Sequence, residues 1–218
     1  MFRHAAPMLA AALFVTALAG PARADETSDA IAASQGLVKD AHAVTGLVLE
    51  SLDALEAVAG DAETRAKVAK VLAEYKKANA NDANAVKSFG PQLADLAAAV
   101  DKAGFKSHPL SGKDAAALKT ALLKINAAGI IAASTGGRAA ELGQKASSLM
   151  MANPFGAMGL KPIADNAMAI GSLAAPQVDA VKQASEALGQ LATESKMPMP
   201  SLDEAKAMVK QLAPGVPL

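Results

Sequence analysis

Apolar and small residues recur every three or four positions through most of this chain of 218 residues. In residues 25–59 one such face carries Val38, Ala41, Thr45, Val48, Leu52, Leu55 and Ala59. This spacing lines the residues up along one side of an α-helix, where they pack against other helices. No segment shows the alternation of β-branched residues that is typical of a strand. We therefore predict an all-α fold, an antiparallel helical bundle of about six to seven helices, with long N-terminal helices and shorter, irregular C-terminal ones.

Turn and capping residues divide the first part of this pattern into helices. Gly60 ends the first helix, and Asp61 is a suitable N-cap for a second helix over about residues 62–78. The asparagine-rich residues 79–84 form the next turn. Pro91 either kinks the third helix or begins a new one, because proline is tolerated in the first turn of a helix but not in its interior.

The longest unbroken pattern follows Ser111, which forms a start resembling a capping box with Asp114. Large core residues at its beginning give way to glycine and alanine, and the pair at 136–137 predicts a bend or a break. Pro162 and Pro176 predict the starts of further, shorter helices. The two core rows of this segment are Ala115, Leu122, Gly129, Gly136, Gly143, Met150 and Leu118, Ile125, Ala132, Ala139, Ala146.

The N-terminus has the pattern of a secretory signal peptide. A short basic start precedes the uncharged apolar residues 5–20, and the small-x-small sequence at 22–24 is a cleavage signal. The apolar part is short for a membrane span, which needs about 20 residues. We predict that residues 1–24 are removed, that residues 25–218 form one helical domain, and that the protein is periplasmic or secreted without a stable membrane anchor after cleavage.

The charge and cysteine content exclude several classes of function. Removal of the signal peptide, which carries two of the 21 basic residues and none of the 21 acidic ones, leaves a net charge of −2. Proteins that hold nucleic acid or anionic membranes by charge are usually basic, so we expect no nucleic-acid partner. The chain has no cysteine, and it therefore has neither disulfides nor a thiolate nucleophile.

The sequence gives no support for catalysis or for a bound cofactor. The patterns G-x-S-x-G, H-E-x-x-H and C-x-x-C-H are absent, as are the phosphate-binding glycine motifs. His42 and His108 have no second ligand three or four residues away, so no zinc site is indicated. Haem held between His42 and a C-terminal methionine is an alternative, against which the position of His42 on the polar side of its helix argues. We predict a protein that is not an enzyme and has no metal or cofactor.

Residues 147–168 interrupt the alanine-rich pattern with methionines, a phenylalanine, prolines and glycines. Methionine is flexible and fits irregular surfaces, so this segment predicts either gap filling or an adaptable apolar contact surface. The glycines before it serve either close helix packing or the wall of a groove. For the groove alternative, an apolar small molecule or a helix of a partner protein would bind there. The predicted ligand-binding residues are Gly129, Gly136, Met150, Met151, Phe155, Met158 and Met168.

Two other classes of function fit the same sequence. One is a structural or stress-related bundle without a ligand. The other is copper binding, because thioethers favour Cu(I) and Met197 and Met199 stand close together. Met150, Met151 and Met158 would be further ligands in that case.

Overall fold

The predicted all-α helical bundle is confirmed. The computed structural model describes residues 21–103, 110–152 and 157–218, and within 21–24 and 101–103 it describes the backbone alone. This part of the chain contains no strand. Its seven helices are α1 Pro21–Ala59, α2 Ala62–Tyr75, α3 Ala83–Lys87, α4 Gly90–Ala103, α5 Gly112–Ala152, α6 Ala157–Glu194 and α7 Leu202–Leu212.

Three long helices form the frame of the bundle. Helices α1, α5 and α6 have 39, 41 and 38 residues, and each is roughly 57–62 Å long at a rise of about 1.5 Å per residue. Asp40 contacts Arg138 whereas Glu50 contacts Lys124, so α1 and α5 run in opposite directions.

Helix α6 runs in the same direction as α1. Asn166 Nδ2 donates to Ser34 Oγ at 3.1 Å, and Gln177 Nε2 donates to the carbonyl oxygen of Ala41 at 2.7 Å. Residue numbers therefore rise together along the two helices. Helix α5 lies antiparallel to both, because the direction of α1 is opposite to that of α5.

The capping residues act as the sequence predicts. Asp61 Oδ1 accepts the backbone N–H groups of two residues in the first turn of α2. Pro91 lies in the first turn of α4, so it begins a new helix rather than kinking an old one. Before α5, the backbone N–H of Asp114 donates to Ser111 Oγ, and the backbone N–H of Ser111 donates to Asp114 Oδ2, each at 3.3 Å.

The predictions of breaks in the second half of the chain are wrong. Helix α5 is continuous through residues 136–137, and α6 is continuous through Pro162 and Pro176. Proline in a helix interior costs roughly 3 kcal/mol, but Leu173 and Gln177 on either side of Pro176 are buried against other helices. Burial of this long apolar face offsets the lost backbone hydrogen bonds. The C-terminal helices are therefore long, except for α7 with its 11 residues.

The bundle has a larger and a smaller core. The larger core joins the second half of α1, the first half of α5 and the second half of α6 with α2, α4 and α7. The smaller core joins only α3 with the opposite halves of the three long helices. Its central residues include Leu37, Ala139, Ala146, Ile163, Ala167 and Ile170. We call this the narrow end of the bundle.

Within the described residues, α5 is the single helix that is long and apolar enough to cross a membrane. Its most apolar 18-residue window has a mean hydropathy of 1.4, and 44% of that window is buried within the bundle. A central core helix gives the same signal, and α5 packs against both other long helices.

Candidate binding site

Gly129 and Gly136 lie where α5 packs against α6. A Cβ atom added to Gly129 would be 3.4 Å from Val181 Cγ1, and one added to Gly136 would be 3.3 Å from Ala174 Cβ. The second distance is shorter than an ordinary van der Waals contact. The absence of a side chain therefore lets the two backbones approach closely at this point.

The row of glycines ends at an open groove of about 930 Å³ between the last turns of α5 and the first turns of α6. Gly143 lines this groove, and here the space is wider, because an added Cβ atom would be 3.8 Å from Ala167 Cβ. Of the predicted site residues, Met150 and Met168 line the groove, whereas Gly129, Gly136, Met151 and Met158 do not. Its apolar lining is Ala140, Gly143, Met150, Ala164 and Met168.

The methionines around the groove are unusually exposed. The exposed fractions are 77% for Met151, 89% for Met158 and 65% for Met168, while Met150 is half-buried against the smaller core. Single exposed apolar residues are common, whereas a contiguous apolar patch marks a contact surface. Phe155 lies outside the described residues. We call Met150, Met151, Met158 and Met168 the methionine surface.

The polar rim of the groove carries balanced charge. Lys161 Nζ contacts Asp165 Oδ2 at 2.6 Å, one turn apart on α6. Gln144, Ser147 and Ser148 of α5 complete the rim on the opposite side. Neither sign of charge dominates, so the groove offers apolar contact and hydrogen bonds rather than a strong field for an ion.

His42 is half-buried rather than fully on a polar surface. Its ring stacks on that of Tyr75 with 4.5 Å between the centroids, and its Nε2 has no hydrogen-bond partner. Burial lowers the pKa of His42 below its ordinary value. The Tyr75 hydroxyl donates to the carbonyl oxygen of His42, and Gly46 leaves room for the tyrosine ring. Burial is also the main cause that raises the pKa of Tyr75. This cluster joins α1 to α2.

The structure separates the methionines of the copper alternative. Met197 and Met199 follow the C-terminal end of α6, whereas Met158 is in its first turn. The 38 residues of α6 span roughly 57 Å. The methionine surface therefore cannot share a metal ion with Met197, which packs instead against the larger core. No group of three histidine or acidic side chains gathers in the described part of the chain.

One buried acid was missed by sequence reasoning. Glu56 is only 2% exposed, and neither of its carboxylate oxygens has a hydrogen-bond partner. Burial raises the pKa of Glu56 to about 7, and the nearby carboxylate of Asp61 adds to the increase. The sequence signal is Gly60, four residues later, where the carboxylate occupies the space that a side chain would fill.

Neither the models of known families, nor the curated proteins, nor the solved structures contain a match to this chain. The fold is an all-α helical bundle. The groove at the narrow end is the open surface that two of the predicted site residues, Met150 and Met168, line.

Proposed function

We propose that this protein is a non-enzymatic bundle of the periplasm or the extracellular space that binds an apolar ligand or an apolar segment of a partner protein. The binding place is the groove between α5 and α6, together with the methionine surface. The observation that carries this proposal is that the exposed Met168 and the half-buried Met150 line one groove, with the exposed Met151 and Met158 on the adjoining turns of α5 and α6.

The physical support is the favourable free energy of binding that burial of these apolar side chains by a ligand would contribute. Apolar surface removed from water contributes about 25 cal/mol per Å², and methionine adapts to occupants of different shape. The volume of about 930 Å³ lies within the range of roughly 300–1,000 Å³ that is typical of ligand pockets. Because the groove is open to solvent, an acyl chain or one face of a helix can reach its apolar lining.

A fluorescent fatty acid tests the proposal. Dansyl-labelled undecanoic acid is titrated into the wild-type protein, into the double variant Met150→Gln/Met168→Gln, and into Met199→Gln as a control. Met199 is also an exposed methionine, but it lies beyond the other end of α6. Glutamine has a similar size and is polar, so it weakens apolar contact without filling the groove.

We expect the wild type and Met199→Gln to bind the probe with equal affinity and the double variant to bind at least roughly tenfold more weakly, the effect of about 1.4 kcal/mol. Equal binding by all three proteins, or no binding by any, contradicts the proposal. The second result would favour a structural bundle without a ligand.

A further inference from the structure

Glu56 lies in the last turn of α1, and its carboxyl group is enclosed. Both carboxyl oxygens are buried, and neither has a hydrogen-bond partner. No ion pair reaches this side chain in the described part of the chain. An ionised carboxylate is costly in such a place, because neither a cation nor a hydrogen-bond donor compensates it. The enclosed position therefore suits the neutral, protonated acid.

The charges that face Glu56 also oppose its ionisation. Asp61 places a second carboxylate nearby, and hydrogen bonds from Thr64 keep the pKa of Asp61 low, so that this group stays ionised. The C-terminal end of α1, at Ala59, adds the partial negative charge of its unpaired carbonyl groups. No charged side chain of α5 or of another described helix forms an ion pair or a hydrogen bond with Glu56.

Gly60 makes the enclosed position possible. A Cβ atom added to Gly60 would be 1.7 Å from Glu56 Oε2, so the carboxyl group occupies the space of the missing side chain. The backbone of Gly60 is outside the left-handed region that favours glycine. Alanine therefore fits the backbone at position 60, but its methyl group would displace the Glu56 carboxyl group.

An open groove of about 430 Å³ adjoins the enclosed carboxyl group, and Glu56, Gly60, Asp61 and Arg65 lie along it. Arg65 is the one basic residue among those that line this groove. Rotation of the Glu56 side chain into the groove would give an ionised carboxylate access to water and bring it near the positive charge of Arg65. The chain thus offers one place for the neutral acid and another for the charged one.

We propose that Glu56 is a proton-operated switch at the turn between α1 and α2. The neutral acid lies enclosed over Gly60. When the proton is lost to solvent, the carboxylate turns into the groove towards Arg65, and the contact between Glu56 and Gly60 is broken. The switch is at a different place from the methionine surface, and it does not depend on the proposed binding function.

Carbon-detected NMR of the full mature protein tests the switch, because the carboxyl carbon of Glu56 reports its own protonation. Gly60→Ala serves as the reference for the displaced side chain, and Glu56→Gln as the reference for a side chain that cannot ionise. Glu63→Gln is the matched control, since Glu63 is an exposed carboxylate on the first turn of α2 and is paired with Lys67.

We expect the Glu56 carboxyl carbon to titrate with a midpoint of about pH 7 in the wild type and nearer to the ordinary 4.5 in Gly60→Ala. As the wild type loses this proton, the amide signals of residues 63–66 should move towards the positions that they have in Gly60→Ala. This movement should be absent in Glu56→Gln and unchanged in Glu63→Gln.

The same switch predicts a loss of stability with rising pH. Because burial raises the pKa of Glu56 in the folded protein, its contribution to stability is complete below the ordinary pKa of 4.5 and is lost as the pH rises through about 7. The Tm of the wild type should therefore fall relative to that of Glu56→Gln between about pH 5 and about pH 9.

Three results would overturn the proposal. One is a wild-type Glu56 carboxyl carbon that titrates near the ordinary 4.5. Another is a titration near pH 7 during which the amide signals of residues 63–66 do not approach those of Gly60→Ala, which would mean that the charged side chain stays enclosed. The third is an equal loss of the amide movement in Glu56→Gln and Glu63→Gln, which would assign the movement to surface charge in general.

Discussion

Gly136 shows how one missing side chain sets the distance between two helices. A leucine at this position has to push α6 away, because even a Cβ atom would be 3.3 Å from Ala174 Cβ. Overpacking of this kind costs about 1–3 kcal/mol. We predict that Gly136→Leu lowers the Tm by several degrees in a calorimetric scan.

The neighbouring glycine is the control for this prediction. Nothing lies within 4 Å of a Cβ atom added to Gly137, and leucine is a better helix former than glycine by up to about 1 kcal/mol. Gly137→Leu should therefore leave the Tm unchanged or raise it. An undiminished Tm in Gly136→Leu would mean that the glycine row faces free space instead of a packed backbone.

His42 makes the stability of the bundle depend on pH. Burial lowers the pKa of this histidine in the folded protein, so as the pH falls the unfolded chain takes up the proton first. The contribution of His42 to the free energy of unfolding is complete above the ordinary pKa of 6.5 and is lost as the pH falls through the lower, folded pKa. We predict that His42→Gln has a smaller decrease in Tm than the wild type between about pH 7.5 and about pH 5.

The pH comparison is made on the difference between the two proteins, since carboxylates contribute to acid denaturation in both. Parallel decreases in Tm would show that the His42 ring is protonated as readily in the folded state as in the unfolded one. Such a result would contradict the burial of His42 beneath Tyr75.

At the scale of elements, polar contacts fix the register of the long helices relative to one another. Asp40 on α1 pairs with Arg138 on α5, and the Asp40 side chain is only 7% exposed. Loss of one charge from a partly buried pair leaves the other without compensation. We predict that Asp40→Asn lowers the free energy of unfolding by about 1–3 kcal/mol in urea denaturation.

An exposed pair provides the comparison for Asp40→Asn. Glu63 and Lys67 are one turn apart on α2 and both are largely exposed, and such pairs contribute about 0.3–0.5 kcal/mol. Glu63→Gln should therefore have little effect on urea denaturation. If both variants lower the free energy of unfolding by the same amount, the Asp40–Arg138 pair between α1 and α5 contributes no more to stability than an exposed pair does.

Helix boundaries with local signals were predictable from the sequence, and those that depend on packing were not. Asp61 and Ser111 cap their helices through neighbouring residues, so the sequence contains the whole signal. Pro176 gives a local signal to begin a helix, but burial of α6 on both sides of it outweighs that signal. The same limit applies to Glu56, whose burial depends on how the turn at Gly60 folds back over the end of α1.

The candidate site was also predictable only in part from the sequence. The methionines gave a compositional signal, and Met150 and Met168 do line one groove. The core row of α5 put Gly129 and Gly136 in the same set as Met150, although the two glycines lie against α6 nearer the start of α5. Spacing within one helix identifies a face of that helix but not where along the face a neighbouring helix covers it.

At the scale of the whole molecule, secretion is expected to remove the first 24 residues. Thr27 and Ala30 belong to the buried face of α1, and both lie after Ala24. Cleavage after Ala24 would leave that face intact. We predict that Ala24→Pro blocks processing, because the peptidase requires a small residue there, and that N-terminal sequencing of the exported wild type begins at Asp25. Exported protein that begins at Met1 would contradict this prediction.

The central claim is that an apolar occupant binds in the groove between α5 and α6, and photolabelling tests it most directly. A fatty acid with a diazirine on its acyl chain is bound to the protein and irradiated, and the labelled peptides are identified by mass spectrometry. We predict that the label is concentrated in residues 140–152 and 157–168 and that an excess of unlabelled fatty acid removes it. Label spread evenly over the surface, or concentrated at α7 and the opposite end of the bundle, would contradict the account.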